Sequence, residues 1–320
     1  MSFTIRKANI NDATIVYEMI ELYNNEMNIR NKPFENSQKK FIEDCFGSDS
    51  IVTFFIAEFK GNVLGYCGFV HSYSIIVGPS VNILEVFVKK EYRNLGVSVF
   101  LFSKVIDIAF ENNSYLIKWL ISLKDSKLII IEEKAGVDID RDTLILNIYK
   151  KDMKGYLQNL NGNNPHGVRL VKSFELPDVF NCVNNLATET NRDLKLDVYK
   201  LMSAVFSSNP KIKILVVLFD NVVSGFISFY ESYCTSSGKS LIVENIYVNK
   251  KYRSKGVGIS LLNELFYYAY KNNFTKVEST ISKYEVEKIE GLKELGIFPY
   301  GNLREAYYVK EEFKRLYNIN

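Results

Sequence analysis

An internal repeat is the feature of this sequence that most constrains its fold. Residues 86–98 (Val-Phe-Val-Lys-Lys-Glu-Tyr-Arg-Asn-Leu-Gly-Val-Ser) align without gaps on residues 246–258 (Ile-Tyr-Val-Asn-Lys-Lys-Tyr-Arg-Ser-Lys-Gly-Val-Gly), 160 positions later. The same offset places residues 65–70 on residues 225–230. A register that holds over separate segments indicates a duplicated structural unit, which settles domain count more firmly than length does.

The repeat predicts two domains, and a chain of 320 residues is long enough to bury two cores. The start of each copy also corresponds, because Ile5-Arg6 leads to an aspartate in the same way as Val168-Arg169 does. Turn residues cluster between the copies, with little that is apolar at regular spacing. We therefore predict an N-terminal domain over 1–155, a linker over 156–167 and a C-terminal domain over 168–320.

Composition is that of a folded protein, with 47% hydrophobic and 24% charged residues. The net charge of +3 provides no global field that would favour nucleic acid or an anionic membrane as a partner. Four scattered cysteines argue against a disulfide framework and against a metal site. The start has no basic-then-apolar signal region, and no apolar run is long enough to span a membrane. These features lead us to expect a cytoplasmic location and no metal.

The catalytic inventory is narrow. His71 and His166 are the two histidines, and neither lies near a nucleophile motif, so a Ser/His or Cys/His mechanism has little material. Catalysis would use carboxylates, tyrosines or the backbone.

Hydrophobic periodicity assigns secondary structure in the second copy. Apolar residues recur at helical spacing after Gly256 and predict an amphipathic helix that packs on a sheet. Apolar segments bounded by turn residues or charges predict strands at Ile212–Phe219, Val222–Tyr230, Leu241–Val248, Lys276–Ser282 and Ala306–Lys310.

The turn Arg253–Gly258 (Arg-Ser-Lys-Gly-Val-Gly), here called the glycine turn, lies between an apolar strand and that helix. Free backbone N–H groups at a helix start attract anions, and glycine lets the chain approach a pyrophosphate closely. Arg253 and Lys255 add cationic donors. One isolated copy is equally typical of a plain turn, but Tyr-Arg-x-x-Gly-Val occurs in both copies in the same setting. The recurrence favours an anion site.

These residues resemble the GNAT acetyltransferase superfamily, whose Arg/Gln-x-x-Gly-x-Gly/Ala motif follows the fourth strand. The two copy starts and Lys293-Glu-Leu-Gly-Ile297 are also similar to elements of that family. The resemblance implies the α/β (α+β) class, with two tandem domains that each have a mixed, mostly antiparallel central sheet flanked by helices. It implies acetyl-CoA as co-substrate, with the pyrophosphate bound by Arg253, Ser254, Lys255, Gly256, Val257 and Gly258. It also implies that the fourth strand parts from the fifth and offers backbone N–H groups of Ile246, Tyr247 and Val248.

The resemblance further implies a direct attack of an amine on the thioester, with Glu244 as general base. The alternative for Glu244 is a structural carboxylate that is ion-paired. The family's usual acid, a tyrosine, is replaced by Leu292, which leaves Tyr284, Tyr300 or Tyr307 as alternatives, or an unassisted thiolate.

The N-terminal copy departs further from the motif. Ser98 replaces the last glycine, Leu84 matches Glu244, and Glu132 matches Leu292. Glu85 is one residue out of register with Glu244. We expect this domain to be degenerate and to have a structural or substrate-positioning role.

The sequence therefore predicts an N-acetyltransferase whose C-terminal domain acetylates an amine of a small molecule or peptide. Two alternatives stay open: a non-catalytic CoA-binding or interaction protein, and a transferase for a longer acyl or an aminoacyl group. Acceptor recognition is expected around 25–47 and 189–209. The sequence specifies no oligomeric state.

Overall fold

The computed structural model describes residues 3–26, 36–134, 136–159, 166–294, 297–299 and 303–309. The first copy contributes β1 (Thr4–Lys7), α1 (Ala13–Glu26), α2 (Gln38–Phe46), β2 (Val52–Phe59), β3 (Asn62–Ser74), β4 (Gly78–Val88), α3 (Val97–Glu111), β5 (Leu116–Ser122), α4 (Ser126–Lys134), β6 (Asp138–Ile139), β7 (Thr143–Tyr149) and α5 (Lys150–Asn159).

The second copy repeats this order. It contributes β8 (Arg169–Leu170), α6 (Leu176–Glu189), α7 (Val198–Phe206), β9 (Lys213–Phe219), β10 (Val222–Cys234), β11 (Gly238–Val248), α8 (Val257–Lys271), β12 (Lys276–Ser282), α9 (Val286–Glu294), β13 (Phe298–Pro299) and β14 (Leu303–Val309). The predicted strands and the helix after Gly256 are confirmed, with ends that differ by a few residues. Lys310 lies outside the described residues. Within the described part of the chain, no helix combines the length and the apolar character that crossing a membrane requires.

The strands form two seven-stranded sheets, in the orders β1-β2-β3-β4-β5-β14-β6 and β13-β7-β12-β11-β10-β9-β8. Most neighbours are antiparallel, while the β4–β5 and β11–β12 pairs are parallel. Helices cover the sheet faces; for example, Leu101 and Leu261 of α3 and α8 are fully buried in the two cores. The predicted fold class is confirmed.

The two sheets exchange one strand each. β7 belongs to the first copy but pairs with β12 of the second copy over its full length, from Thr143 opposite Ser282 to Tyr149 opposite Lys276. β14, near the end of the chain, inserts between β5 and β6, with Ala306 opposite Trp119. A strand inserted in this way satisfies the backbone N–H and C=O groups of its neighbours. Each sheet therefore takes the strand next to one of its edges from the other half of the sequence.

Because of the exchange, strand pairing crosses the predicted domain boundaries at 155 and 168. Residues 143–149 precede the predicted linker but lie in the second sheet, and α5 extends through Asn159, inside the stretch 156–167. The boundaries at 155 and 168 stay a prediction of where the two sequence repeats meet. Strand pairing follows a different rule, because it depends on which sheet edge is available.

The long hairpins of the two copies also cross between the halves. Ile75 and Ile76, at the tip of the β3–β4 hairpin, are buried with side chains of α6 and α7, and the backbone N–H of Lys195 donates to Ile76 O at 2.9 Å. At the corresponding hairpin of the second copy, Tyr233 is buried in the first half, and its hydroxyl accepts a 2.7 Å hydrogen bond from Asn36 Nδ2. The two halves thus form one interlocked body.

Both sheets open at the same place. β11 pairs with β12 at Ser240–Ile242 and then parts from it, and β4 parts from β5 after Asn82 in the same way. A bulge follows each pairing: Glu244 is the extra residue of β11 opposite β10, because Asn245 faces Ser228 while Val243 faces Phe229. Bulges of this kind bend a strand and re-aim its side chains. The predicted gap beside the fourth strand is present in both copies.

Because the sheets share strands, we expect the two halves to unfold together. Leu261→Ala removes a fully buried side chain from the second half and should cost about 2–5 kcal/mol. Trp119 is the single tryptophan and lies in the first sheet. The urea midpoint measured by its fluorescence should fall as much as the midpoint measured by circular dichroism. The matched variant is Leu101→Ala. A fluorescence midpoint that ignores Leu261→Ala would contradict the coupling.

Candidate functional site

A cavity of about 900 Å³ lies in the gap between β11 and β12, with α8 and α9 at its sides. Nine of the ten predicted site residues line it: Glu244, Ile246, Tyr247, Val248, Arg253, Ser254, Gly256, Val257 and Gly258. The exchanged strand β7 supplies Leu146 and Ile148 to the same wall. Lys255, the tenth predicted residue, lies outside this lining, and its ammonium is 5.7 Å from the centre of the Tyr252 ring. The first half thus contributes directly to a cavity of the second.

The glycine turn has the same backbone conformation in both copies. Ser254 and Gly256 have φ values of 60° and 77°, and Asn94 and Gly96 have 63° and 79°. Gly256 is required by this left-handed conformation. Gly258 is different, since a Cβ added there would meet no protein atom within 4 Å. Folding therefore does not demand glycine at 258, whereas a ligand close to the start of α8 would.

Arg253 clamps the turn to the rest of the domain. Its Nε donates to Val248 O at 2.8 Å and its Nη2 donates to Glu189 Oε2 at 2.6 Å. Arg93 makes the same two bonds in the first copy, to Val88 O and to Glu26 Oε2. The Arg253 guanidinium holds the pKa of the Glu189 carboxyl below its usual value. Retention of this arginine in both copies has a structural reason, and the turn offers its backbone N–H groups to an anion.

His166 is a neighbour of the turn that the sequence reasoning missed. Its Nδ1 is 3.0 Å from Ser260 Oγ, and its Cε1 would lie 3.9 Å from a Cβ at Gly256. In the first copy, the turn is instead flanked by the edge-to-face rings of Phe3 and Phe100, 5.4 Å apart. A polar pair in one copy and an apolar pair in the other mark a difference between the two turns.

Glu244 is ion-paired across the two halves. Lys118 Nζ, on β5 of the first sheet, lies 3.3 Å from Glu244 Oε2 and 3.4 Å from Glu305 Oε1 on the exchanged strand β14. The Lys118 and Glu244 side chains are 11% and 10% exposed. Burial alone would lower the pKa of Lys118, but the two carboxylates outweigh it and hold the pKa above its usual value. Lys118 is therefore a cation, and it faces a carboxylate that lines the cavity.

Arg192, in the segment that follows α6, lines the same cavity as Glu244. Its Nε donates to Thr190 Oγ1 at 2.9 Å and its Nη2 donates to Asn245 Oδ1 at 3.1 Å. The surrounding protein lowers the pKa of Arg192, and the charge of Glu244 opposes that effect. Arg192 falls in the range predicted for acceptor recognition, but no sequence pattern singles it out.

The acid candidates are dispersed. Leu292 lines the cavity, as its matched position predicts. Tyr284 is 70% exposed, and its hydroxyl donates to Asp142 Oδ1 at 3.3 Å. Tyr307 lies on β14 in the first sheet, opposite Lys118, and Tyr300 is outside the described residues. Within the described ranges, no group of three His, Cys, Asp or Glu side chains could hold a metal.

Aromatic side chains occupy the corresponding gap of the first copy. Phe102, Trp119 and Tyr308 pack together there, with ring centres 4.9–6.1 Å apart. At an offset of 160 residues, their counterparts are Leu262, Ser279 and Ile148, which all line the cavity of the second copy. Glu132, the counterpart of Leu292, accepts a hydrogen bond from Trp119 Nε1. Larger side chains thus fill the first gap and smaller ones leave the second open.

Glu85 matches Asn245, since the bulge occurs one residue earlier in both copies. Its carboxylate accepts hydrogen bonds from the Tyr66 hydroxyl and, across the halves, from Thr235 Oγ1 at 3.0 Å. Burial raises the pKa of Glu85 to about 7. This carboxyl is enclosed by the hairpin of the second copy.

Comparisons of both the sequence and the structure with known proteins find GNAT proteins. The family model of the acetyltransferase (GNAT) family matches residues 16–127 and 181–289. A tandem GNAT protein from the clavulanic acid biosynthesis pathway superposes with a TM-score of 0.50 at 11% identity, covering 96% of this chain and 98% of that one. A GCN5-related N-acetyltransferase from Sphaerobacter thermophilus gives 0.56 at 14% identity, with 96% and 95% covered. At these identities the likeness shows the fold alone.

Glu85 should make stability depend on pH. Between the ordinary glutamate pKa of 4.5 and the folded value of about 7, the folded state holds a proton that the unfolded state has released, so stability falls as pH rises. Glu85→Gln should remove this loss. Between pH 5 and pH 8, its free energy of unfolding should therefore change in its favour by about 1–3 kcal/mol compared with that of the wild type. Urea unfolding at both pH values measures the effect.

Glu175→Gln is the control for Glu85→Gln. Arg169 lowers the pKa of Glu175, so this carboxyl makes stability depend on pH only below its usual pKa. In Glu175→Gln, the free energy of unfolding should therefore still fall between pH 5 and 8 as it does in the wild type. An unchanged slope in Glu85→Gln would contradict the assignment.

Proposed function

Because this chain belongs to the acetyltransferase (GNAT) family, we propose that its C-terminal domain binds acetyl-CoA in the cavity and transfers the acetyl group to an amine. The observation that carries the proposal is one continuous cavity wall with the glycine turn at one part and Glu244 at another. The matching gap of the first copy is filled by Phe102, Trp119 and Tyr308, which favours a single working site.

The cavity fits the diphosphate of CoA on the evidence of its own residues. The N–H groups of the first turn of α8 have no intrahelical acceptors, and the helix dipole adds positive potential there. Gly256 permits the turn, and the missing side chain at Gly258 leaves room that the protein does not fill. Since Arg253 is held by Glu189, the diphosphate would be bound mainly by the backbone.

The open stretch of β11 provides the next contacts. Ile246, Tyr247 and Val248 lie beyond the pairing with β12, so backbone groups on that side are available to the amide groups of pantetheine. A backbone N–H at this place would also stabilise negative charge on the thioester oxygen as the amine attacks.

Glu244 is the group we assign as general base. A carboxylate that lines the cavity can take a proton from the incoming ammonium, directly or through a water molecule. The ammonium of Lys118 lies 3.3 Å from Glu244 Oε2 and fixes the position of the carboxylate. This contact gives the N-terminal half a positioning role in the chemistry of the other half.

The cofactor site is tested by two matched substitutions. Gly258→Glu places a carboxylate at the start of α8, where it should repel a diphosphate and weaken acetyl-CoA binding by at least about 100-fold. Ser98→Glu places the same group at the matching position of the first copy and should change the affinity by less than about 2-fold. Calorimetric titration of both variants and the wild type measures this. Equal losses, or no binding by folded wild type, would refute the assignment.

The base is tested by a second matched pair. Glu244→Gln should lower kcat by about 100-fold or more while acetyl-CoA still binds, because the amide cannot take a proton. Glu305→Gln removes the other carboxylate partner of Lys118 and should change kcat by less than about 3-fold. Thiol release with the best acceptor from an amine panel gives both values. A Glu244→Gln variant as fast as the wild type would exclude this role.

A further inference from the structure

Two groups of opposite charge line the cavity beyond Ile246, away from the glycine turn. Glu244 carries a carboxylate and Arg192 a guanidinium, and the charge of Glu244 acts on Arg192. Asn245, the residue after Glu244, accepts a hydrogen bond from Arg192 at 3.1 Å. Glu285 and Lys288, another oppositely charged pair in the lining, are bonded to each other, whereas Arg192 and Glu244 are not.

Arg192 differs in its partners from five other arginines of the described chain, and Arg304, which donates to Leu303 O, resembles it in forming no salt bridge there. Arg6, Arg93, Arg141, Arg169 and Arg253 each form a salt bridge with a carboxylate. In the described part of the chain, the hydrogen bonds of Arg192 go to the neutral oxygens of Thr190 and Asn245. These bonds use two of the five N–H groups of a guanidinium and fix the direction of the plane. Arg192 is thus an oriented guanidinium that forms no salt bridge with a carboxylate of the described residues.

Such a group is suited to an anion that arrives with the substrate. Arginine binds carboxylates through paired, charge-assisted hydrogen bonds, and the remaining N–H groups of Arg192 are available for them. The glycine turn already accounts for the diphosphate of CoA under the proposed function, so Arg192 remains for the acceptor. Glu244, whose charge is opposite, is placed to meet the ammonium of the same molecule.

We propose that the acceptor is an α-amino acid, with its carboxylate on Arg192 and its α-amine at Glu244. This inference rests on the proposed function and narrows its acceptor from any amine to a zwitterion. Both groups of an α-amino acid are attached to one carbon, and the opposite charges of Arg192 and Glu244 complement them.

The reaction balances without a further reactant. Glu244 takes one proton from the α-ammonium, and the amine nitrogen bonds to the acetyl carbonyl carbon. The carbon–sulfur bond breaks, the nitrogen gives up its second proton, and the leaving thiolate takes up that proton, while Glu244 returns its own proton to solvent. The products are an N-acetyl amino acid and free CoA. Arg192 acts throughout as the anchor of the carboxylate.

The test compares amino acids with their α-amides, which keep the amine and lose the carboxylate. Thiol release is measured with saturating acetyl-CoA for the twenty amino acids and their amides. The wild type should accept at least one amino acid with a kcat/KM at least about 10-fold above that of its amide. Arg192→Gln should lower kcat/KM for that amino acid by at least about 30-fold and for the amide by less than about 3-fold.

Lys195→Gln is the matched control, because Lys195 lies in the same segment but is ion-paired with Asp193. It should leave both substrates unchanged. Calorimetry with acetyl-CoA separates the two levels: Arg192→Gln should bind it as the wild type does, whereas failure of the wild type to bind would refute the proposed function itself. The inference is overturned if amides react as well as amino acids, if no amino acid reacts with a protein that binds acetyl-CoA, or if Arg192→Gln loses acetyl-CoA binding.

Discussion

The exchange of β7 and β14 is the constraint on which the rest of this structure depends. A sheet edge left open presents a row of unpaired backbone groups, and each sheet here covers the side of β12 or β5 with a strand from the other half. The exchange fixes the distance and orientation of the two domains more firmly than surface packing would, because a strand cannot slip without turning its side chains to the other face. The cavity wall and the Lys118–Glu244 contact both lie where these strands meet.

Duplication followed by divergence explains why the matching gaps of the two copies differ. The backbone is nearly the same in both copies, down to the left-handed residues of the two turns and the bulges of β4 and β11. What differs is side-chain volume. Three aromatic rings fill the first gap, and a leucine, a serine and an isoleucine leave the second one open. The first copy keeps the sheet that carries Lys118 and packs these aromatic rings against its core.

A buried lysine, Lys118, lies at the junction of the two halves. A buried lysine is costly unless carboxylates compensate it, and Lys118 has two, one from each side of the exchange. Its counterpart at the matching position is Glu278, which pairs with Lys276 inside the second sheet. The two copies thus use the same strand position with opposite charge, so the junction is asymmetric. One consequence is that a carboxylate of the second copy is held at the cavity by a cation of the first.

The sequence by itself determined the repeat, the strand and helix pattern of the second copy, and the glycine turn with the residues that line the cavity. Such features depend on local spacing, and local spacing is what periodicity and turn chemistry report. The tertiary structure decided the exchange of β7 and β14, since each strand pairs with a sheet of the other half that is distant in sequence. It also decided that Arg253 serves as a clamp, that Lys118 meets Glu244, and that Arg192 and His166 lie at the site. These contacts join residues that are distant in sequence, and pairing at long range leaves no signal in the order of one chain.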